Sequence, residues 1–143
     1  MQANKTQPLD ASVDEFIDAI ENDRRRTDSR AILAMMSSIT GLQPVMWGTS
    51  IVGFGSHHYV YASGREGDTP VVAFSPRKSA LVLYSVLSAP GNNELVAQLG
   101  PHTTGKGCLY IRDLSVTDAG VLTRMIDRAF RAKGDPGARV DGS

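Results

Sequence analysis

The stretch at residues 46–77 limits the fold more than any other part of the chain, because glycines and prolines cut it into pieces too short for helices. Gly53, Gly55 and Gly64 break helix and permit bulges or close backbone approach. Across residues 57–62 the side chains alternate as on a strand, with Tyr59 and Tyr61 on one face and Val60 and Ala62 on the other. Residues 71–75 are β-branched and aromatic, and Pro76 ends the run by removing an amide donor. Residues 65–70 between the two runs carry turn chemistry, so the runs are expected to form a hairpin.

The flanking segments supply helices. Ser12 with Glu15 forms a capping box for a first helix, and Val13, Phe16, Ile17 and Ile20 recur at helical spacing. A charged elbow at residues 22–26 leads into a second helix with the stripe Ile32, Met35, Met36 and Ile39, ended by Gly41. Residues 80–87 alternate as a strand, and Asn92 or Asn93 caps a brief helix that Gly100 and Pro101 terminate. A last strand at 107–112 places Leu109 and Ile111 on one face and Cys108, Tyr110 and Arg112 on the other. Ser115, with Asp118 three residues on, is expected to cap a final helix with the apolar face Ala119, Leu122, Met125, Ile126, Ala129 and Phe130. The expected fold is α+β: an antiparallel sheet of about five or six strands with helices packed on one face. Residues 12–133 form one domain in this reading, with disordered ends at 1–11 and 134–143.

Composition narrows the partners. Fifteen basic and fifteen acidic residues cancel, which leaves no electrostatic footprint for nucleic acid or an anionic membrane. Cys108 is the single cysteine, so an internal disulfide and a thiolate zinc cage are excluded, and a reducing compartment fits. No apolar run approaches the roughly 20 residues that span a bilayer, and the polar N-terminal residues lack a signal peptide's apolar core. A cytoplasmic location is expected.

Several motifs carry a resemblance. The segments 44–48 (PVMWG), 50–55 (SIVGFG), 59–68 (YVYASGREGD), 74–78 (FSPRK) and 105–111 (GKGCLYI) resemble, in order, the YdhG-like family of bacterial domains of unknown function. The resemblance covers nearly the whole chain and implies a compact α/β sandwich similar in outline to the frataxin-like fold, with no reaction attached. The chain departs from the family at Thr69, where relatives often carry tryptophan, at Pro101 and Thr103, where they tend to carry lysines, and at Gly107, often serine there. These departures weaken any anion site built on a basic cluster in that loop.

With helices on one sheet face, the opposite face collects Tyr59, Tyr61, Tyr84, Cys108 and Tyr110, joined by Trp47 and Phe74, while Val60, Leu81, Leu83, Leu109 and Ile111 point at the helices. A solvated sheet face is normally polar, so an aromatic one is the candidate surface for an unknown small ligand, a protein partner or homodimerisation. Residues 100–107 imitate a phosphate loop but follow a helix and enter a strand, and Gly107 stands where a hydroxyl residue belongs. They read as a tight turn. His57 and His58 point to opposite strand faces and His102 lies elsewhere, so no zinc spacing exists and no catalytic residue is assigned. The metal candidate is the acidic first helix, where Asp14, Asp18 and Glu21 fall on one stripe and suit a hard cation. That pattern, with the frataxin-like outline the resemblance implies, gives an iron-binding chaperone as the alternative function.

Overall fold

The computed structural model describes residues 8–9, 12–60, 62–105 and 107–134, with residues 8, 9, 59, 133 and 134 described by backbone alone. The elements in chain order are β1 (Pro8–Leu9), α1 (Val13–Asp18), α2 (Asp23–Thr40), β2 (Val45–Trp47), β3 (Ile51–Phe54), β4 (His57–Val60), β5 (Glu66–Thr69), β6 (Val72–Pro76), β7 (Leu81–Tyr84), α3 (Asn92–Leu95), β8 (Thr103–Gly105), β9 (Cys108–Ile111) and α4 (Ala119–Gly134). A seven-stranded antiparallel sheet runs β1-β2-β3-β6-β7-β9-β8, and β4 with β5 forms a separate two-stranded sheet. The α+β class and the single helical layer agree with the sequence reading.

Local chemistry sets the helix ends. Ser12 Oγ accepts the amide of Glu15 at 3.1 Å and starts α1, but the helix stops at Asp18, so Ile20 and Glu21 lie beyond it. Asn22 Oδ1 accepts the amide of Arg25 at 2.8 Å, which turns the expected charged elbow into the first turn of α2. Gly41, at φ +69°, closes α2 in the left-handed conformation that costs other residues strain. The cap of α4 is Asp118, whose Oδ1 accepts the amide of Val121 at 3.0 Å. Ser115, expected in that role, sits in a short 3-10 turn at Leu114–Val116.

The hairpin expected between residues 57–62 and 71–75 does not form. Residues 57–60 pair instead with Glu66–Thr69, so the segment read as a turn is a strand. The reason is a cross-strand contact: His58 lies opposite Asp68 and bonds both Asp68 and Glu66, which outweighs the low strand propensity of those acids. Val60, expected to face the helices, is therefore 44% exposed. Residues 72–76 are held between β3 and β7 in the main sheet. At the N-terminus, expected to be disordered, Pro8 and Leu9 pair with Trp47 and Met46. Gly134, expected to open a disordered tail at 134–143, is instead the last residue of α4; the other residues of 1–11, Ala11 included, and residues 135–143 lie outside the described residues.

The core fills the space between sheet and helices. Phe54, Phe74, Leu81, Leu83, Leu109 and Ile111 meet Ile17, Ile32, Met36, Leu122, Met125 and Ile126, all fully buried. Each contributes about 1.5–3 kcal/mol by leaving water. Polar side chains join the layers: Asn92 Nδ2 donates to the carbonyls of Val86 at 2.6 Å and Met125 at 2.9 Å, fixing α3 against α4. Arg25, buried in the first turn of α2, donates Nε to the Arg77 carbonyl at 2.9 Å, one terminal nitrogen to the Arg112 carbonyl at 3.1 Å and the other to the Lys78 carbonyl at 3.5 Å. Buried Asp28 accepts the amide of Leu114 at 2.9 Å.

On the other side of the sheet, Trp47 lies across Gly53 towards Pro70. A Cβ at Gly53 would stand 2.5 Å from Trp47 Cδ1 and 2.7 Å from Pro70 Cβ, so only glycine admits the indole. Gly53→Ala should cost about 1–3 kcal/mol by displacing the ring, read as a lower urea midpoint together with a red-shifted Trp47 emission. Arg25→Ala should cost about 2–4 kcal/mol, because buried carbonyls lose their donor. An unchanged urea midpoint would mean that water replaces the guanidinium without loss.

Candidate functional site

Strand register fixes which side chains share the sheet face turned away from the helices. Cross-strand partners run Val45–Gly53–Ala73–Tyr84 in one row. A second row runs Ser75–Val82–Tyr110–Thr103, and Gly105 lies opposite Cys108. All buried apolar side chains of the helices belong to the cluster on the opposite face, so among the described residues no helix covers these rows.

Trp47, Tyr84, Cys108 and Tyr110, singled out in the sequence, do fall on this face. They are not equivalent. Trp47 is 2% exposed, sealed over Gly53, and acts as part of the structure. Tyr84, Cys108 and Tyr110 are half-buried and reachable from solvent. Phe74 does not join them: it lies opposite Val52 and Leu83, fully buried among the core residues, because the alternation in β6 begins with Val72 facing inward. The backbone of Tyr59 lies opposite Gly67 in the β4–β5 hairpin, outside the main sheet, and Tyr61 lies outside the described residues.

The same period-2 logic brings two arginines to this face that were not named as site residues. Arg77 follows Ser75 by two residues; its Nε donates to Ser75 Oγ at 3.3 Å and a terminal nitrogen donates to the Tyr84 hydroxyl at 2.9 Å. Ser75 Oγ in turn donates to the Ser50 carbonyl at 2.6 Å. The arginine therefore crosses the Ser75–Val82 pair, and both of those residues are buried. Arg112 follows Tyr110 by two residues, and with Tyr110 it lines a pocket of about 290 Å³ at the β8–β9 end of the face. Continuing the alternation past each strand end was the signal for both.

The acidic candidate is organised differently from its sequence expectation. Arg30 of α2 reaches across to Asp14 at 3.2 Å and also bonds Asp18. Its own pKa is raised, chiefly by the hydrogen bond to Asp18. With Glu21 beyond the helix end, the three acids do not form one stripe, and no metal-capable cluster of His, Cys, Asp and Glu occurs among the described residues. Nor is any described helix long and apolar enough to cross a membrane.

Compared with family models, curated proteins and solved structures, the chain matches none.

The remaining charged constellation is the hairpin. His58 Nδ1 lies 2.7 Å from Asp68 and Nε2 lies 2.9 Å from Glu66, so both nitrogens are protonated when each carboxylate accepts. Its pKa is raised, first by the hydrogen bond to Asp68 and then by that to Glu66. A raised folded-state value means that the bridge stabilises the hairpin fully below the unfolded imidazole's pKa and is lost as pH rises through the folded value. By proton NMR, His58 should titrate above the ordinary imidazole range, and Asp68→Asn should lower its midpoint more than Glu66→Gln. An ordinary midpoint in the parent protein would show the bridge to be absent in solution.

Proposed function

We propose that the chain is a small binding or interaction domain of the YdhG-like type, working through the sheet face opposite its helices and receiving there a small ligand or a second copy of itself. The observation that carries this reading is the side-by-side placement of half-buried Tyr84, Cys108 and Tyr110 on a face no described helix covers. Aromatic rings with polar tips give large contact area at low entropic cost, which suits recognition more than solvation. Binding, not chemistry, accounts for the side chains found there. Tyr84 is oriented by Arg77, and His58, the histidine with both nitrogens engaged, sits on the separate hairpin.

The acidic helix supplies no comparable support for the iron reading, because Arg30 already pairs with both Asp14 and Asp18. A cation binding there would have to displace a tethered guanidinium.

The test is a heteronuclear NMR fragment screen of the whole chain, combined with a dilution series followed by sedimentation velocity. Shift changes should gather at Tyr84, Cys108, Tyr110 and their strand neighbours, and Tyr84→Ala should remove those at its own end of the face while keeping a dispersed spectrum. Responses confined to α2 and α4 would overturn the reading.

A further inference from the structure

The pocket at the β8–β9 end has a composition that selects among ligands. Its apolar wall is Pro101, the Tyr110 ring and Val116, and Val116 is 57% exposed although it is a large aliphatic residue. Its polar atoms are specific. His102 Nδ1 sits 2.7 Å from the Gly100 carbonyl, which only accepts, so Nδ1 carries the proton and Nε2 is the ring's uncommitted nitrogen. The Thr103 and Tyr110 hydroxyls and the Arg112 guanidinium have no hydrogen-bond or ion-pair partner among the described residues.

The acid in this wall does not neutralise that guanidinium. Asp113 accepts from the Ser115 amide at 3.0 Å and the Ser115 hydroxyl at 2.6 Å, and pairs with Arg24 at 3.2 Å. Its pKa is lowered, first by the Ser115 hydroxyl, in keeping with a carboxylate whose charge is already met. Arg112 thus remains the uncompensated charge in a mostly apolar hollow.

The backbone beneath these groups is fixed from one direction. Arg25 holds the Arg112 carbonyl and Asp28 holds the Leu114 amide, while Arg24 pairs with the Asp113 carboxylate, all from the first turns of α2. A planar cation on a rigid base beside an aromatic ring matches a carboxylate in a bidentate pose with an apolar body against Tyr110 and Val116. The size, about 290 Å³, admits a body of one ring or a short branched chain.

We infer that this pocket binds a small organic carboxylate, with Arg112 taking the anionic head and Pro101, Tyr110 and Val116 enclosing the apolar body. The inference rests on the proposal that this sheet face is the binding surface, and names the class of ligand it takes.

The experiment is an NMR titration of the full chain with sodium benzoate, with benzyl alcohol as the uncharged counterpart and with inorganic phosphate as the bare anion. Benzoate should give saturable shifts at Thr103, Tyr110 and Arg112 at least tenfold tighter than benzyl alcohol, consistent with a charge-assisted hydrogen-bond pair, while phosphate leaves Tyr110 unmoved. In Arg112→Gln, an exposed position expected to keep the fold, the benzoate preference should vanish; Val116→Ser should weaken both organic probes. Equal binding of benzoate and benzyl alcohol, or an unchanged preference in Arg112→Gln, overturns the inference. Benzoate shifts around Tyr84 without shifts at Thr103 and Arg112 overturn the pocket and leave the face reading standing, whereas shifts confined to α2 and α4 sink both.

Discussion

One buried guanidinium ties the two halves of the fold together. Arg25 reaches from the first turn of α2 to the turn after β6, through the Arg77 and Lys78 carbonyls, and to the exit of β9, through the Arg112 carbonyl. Those carbonyls belong to positions 52, 53 and 87 residues further along the chain, so the contact closes long loops at a single point. A buried cation without a carboxylate partner is tolerable here because several carbonyl dipoles converge on it. Asp28, one turn along, accepts from Leu114 and gives α2 a second fixed point. With α2 pinned, Ile32 and Met36 are aimed at the sheet and can share its core with α4.

The sheet's other face is shaped by small residues as much as by aromatic ones. Gly53 leaves the Trp47 indole the space a Cβ would fill, and the small Ala73 and Ser75 are fully buried on the same face. Trp47 closes the β2–β3 end, and Arg77, bonded to Ser75 and Tyr84, closes the middle. The β7–β9–β8 end, with Tyr84, Cys108 and Tyr110, stays partly open, as do the aliphatic Val45 and Ile51 at the other end. The asymmetry follows from side-chain size along two cross-strand rows. It gathers the half-buried tyrosines at one end of a face that the sequence presents as aromatic along its length.

Period-2 alternation made β7 and β9 legible, a β-branched and aromatic run ended by a proline made β6 legible, and the Ser12 and Gly41 signals made the start of α1 and the end of α2 legible, because each depends on near neighbours in the chain. The failures share a different origin. Residues 65–70 have turn chemistry, yet Glu66 and Asp68 become strand residues because His58 sits across from them. Phe74 looks like its aromatic neighbours in sequence, but which face it takes is set by the inward start at Val72. The acids around α1 are visible in sequence while the pairing of Asp14 and Asp18 with Arg30 is not, since the ion pairs join residues 12 and 16 positions apart on different helices. Arg25 is the extreme case: three arginines in a row read as part of a charged elbow, and only long-range carbonyls distinguish the middle one.

The clamp and the proposed pocket are mechanically one device. Residues 112, 113 and 114 are each held by a different side chain from the first turns of α2, so the segment that carries the Arg112 side chain outward is anchored by its own backbone from behind. An arginine on an exposed loop would lose conformational freedom on gripping an anion, and that cost would erode affinity. An arginine whose carbonyl already receives a buried hydrogen bond has lost the backbone part of that freedom during folding. The free energy of packing the core would therefore prepare the proposed binding end as well.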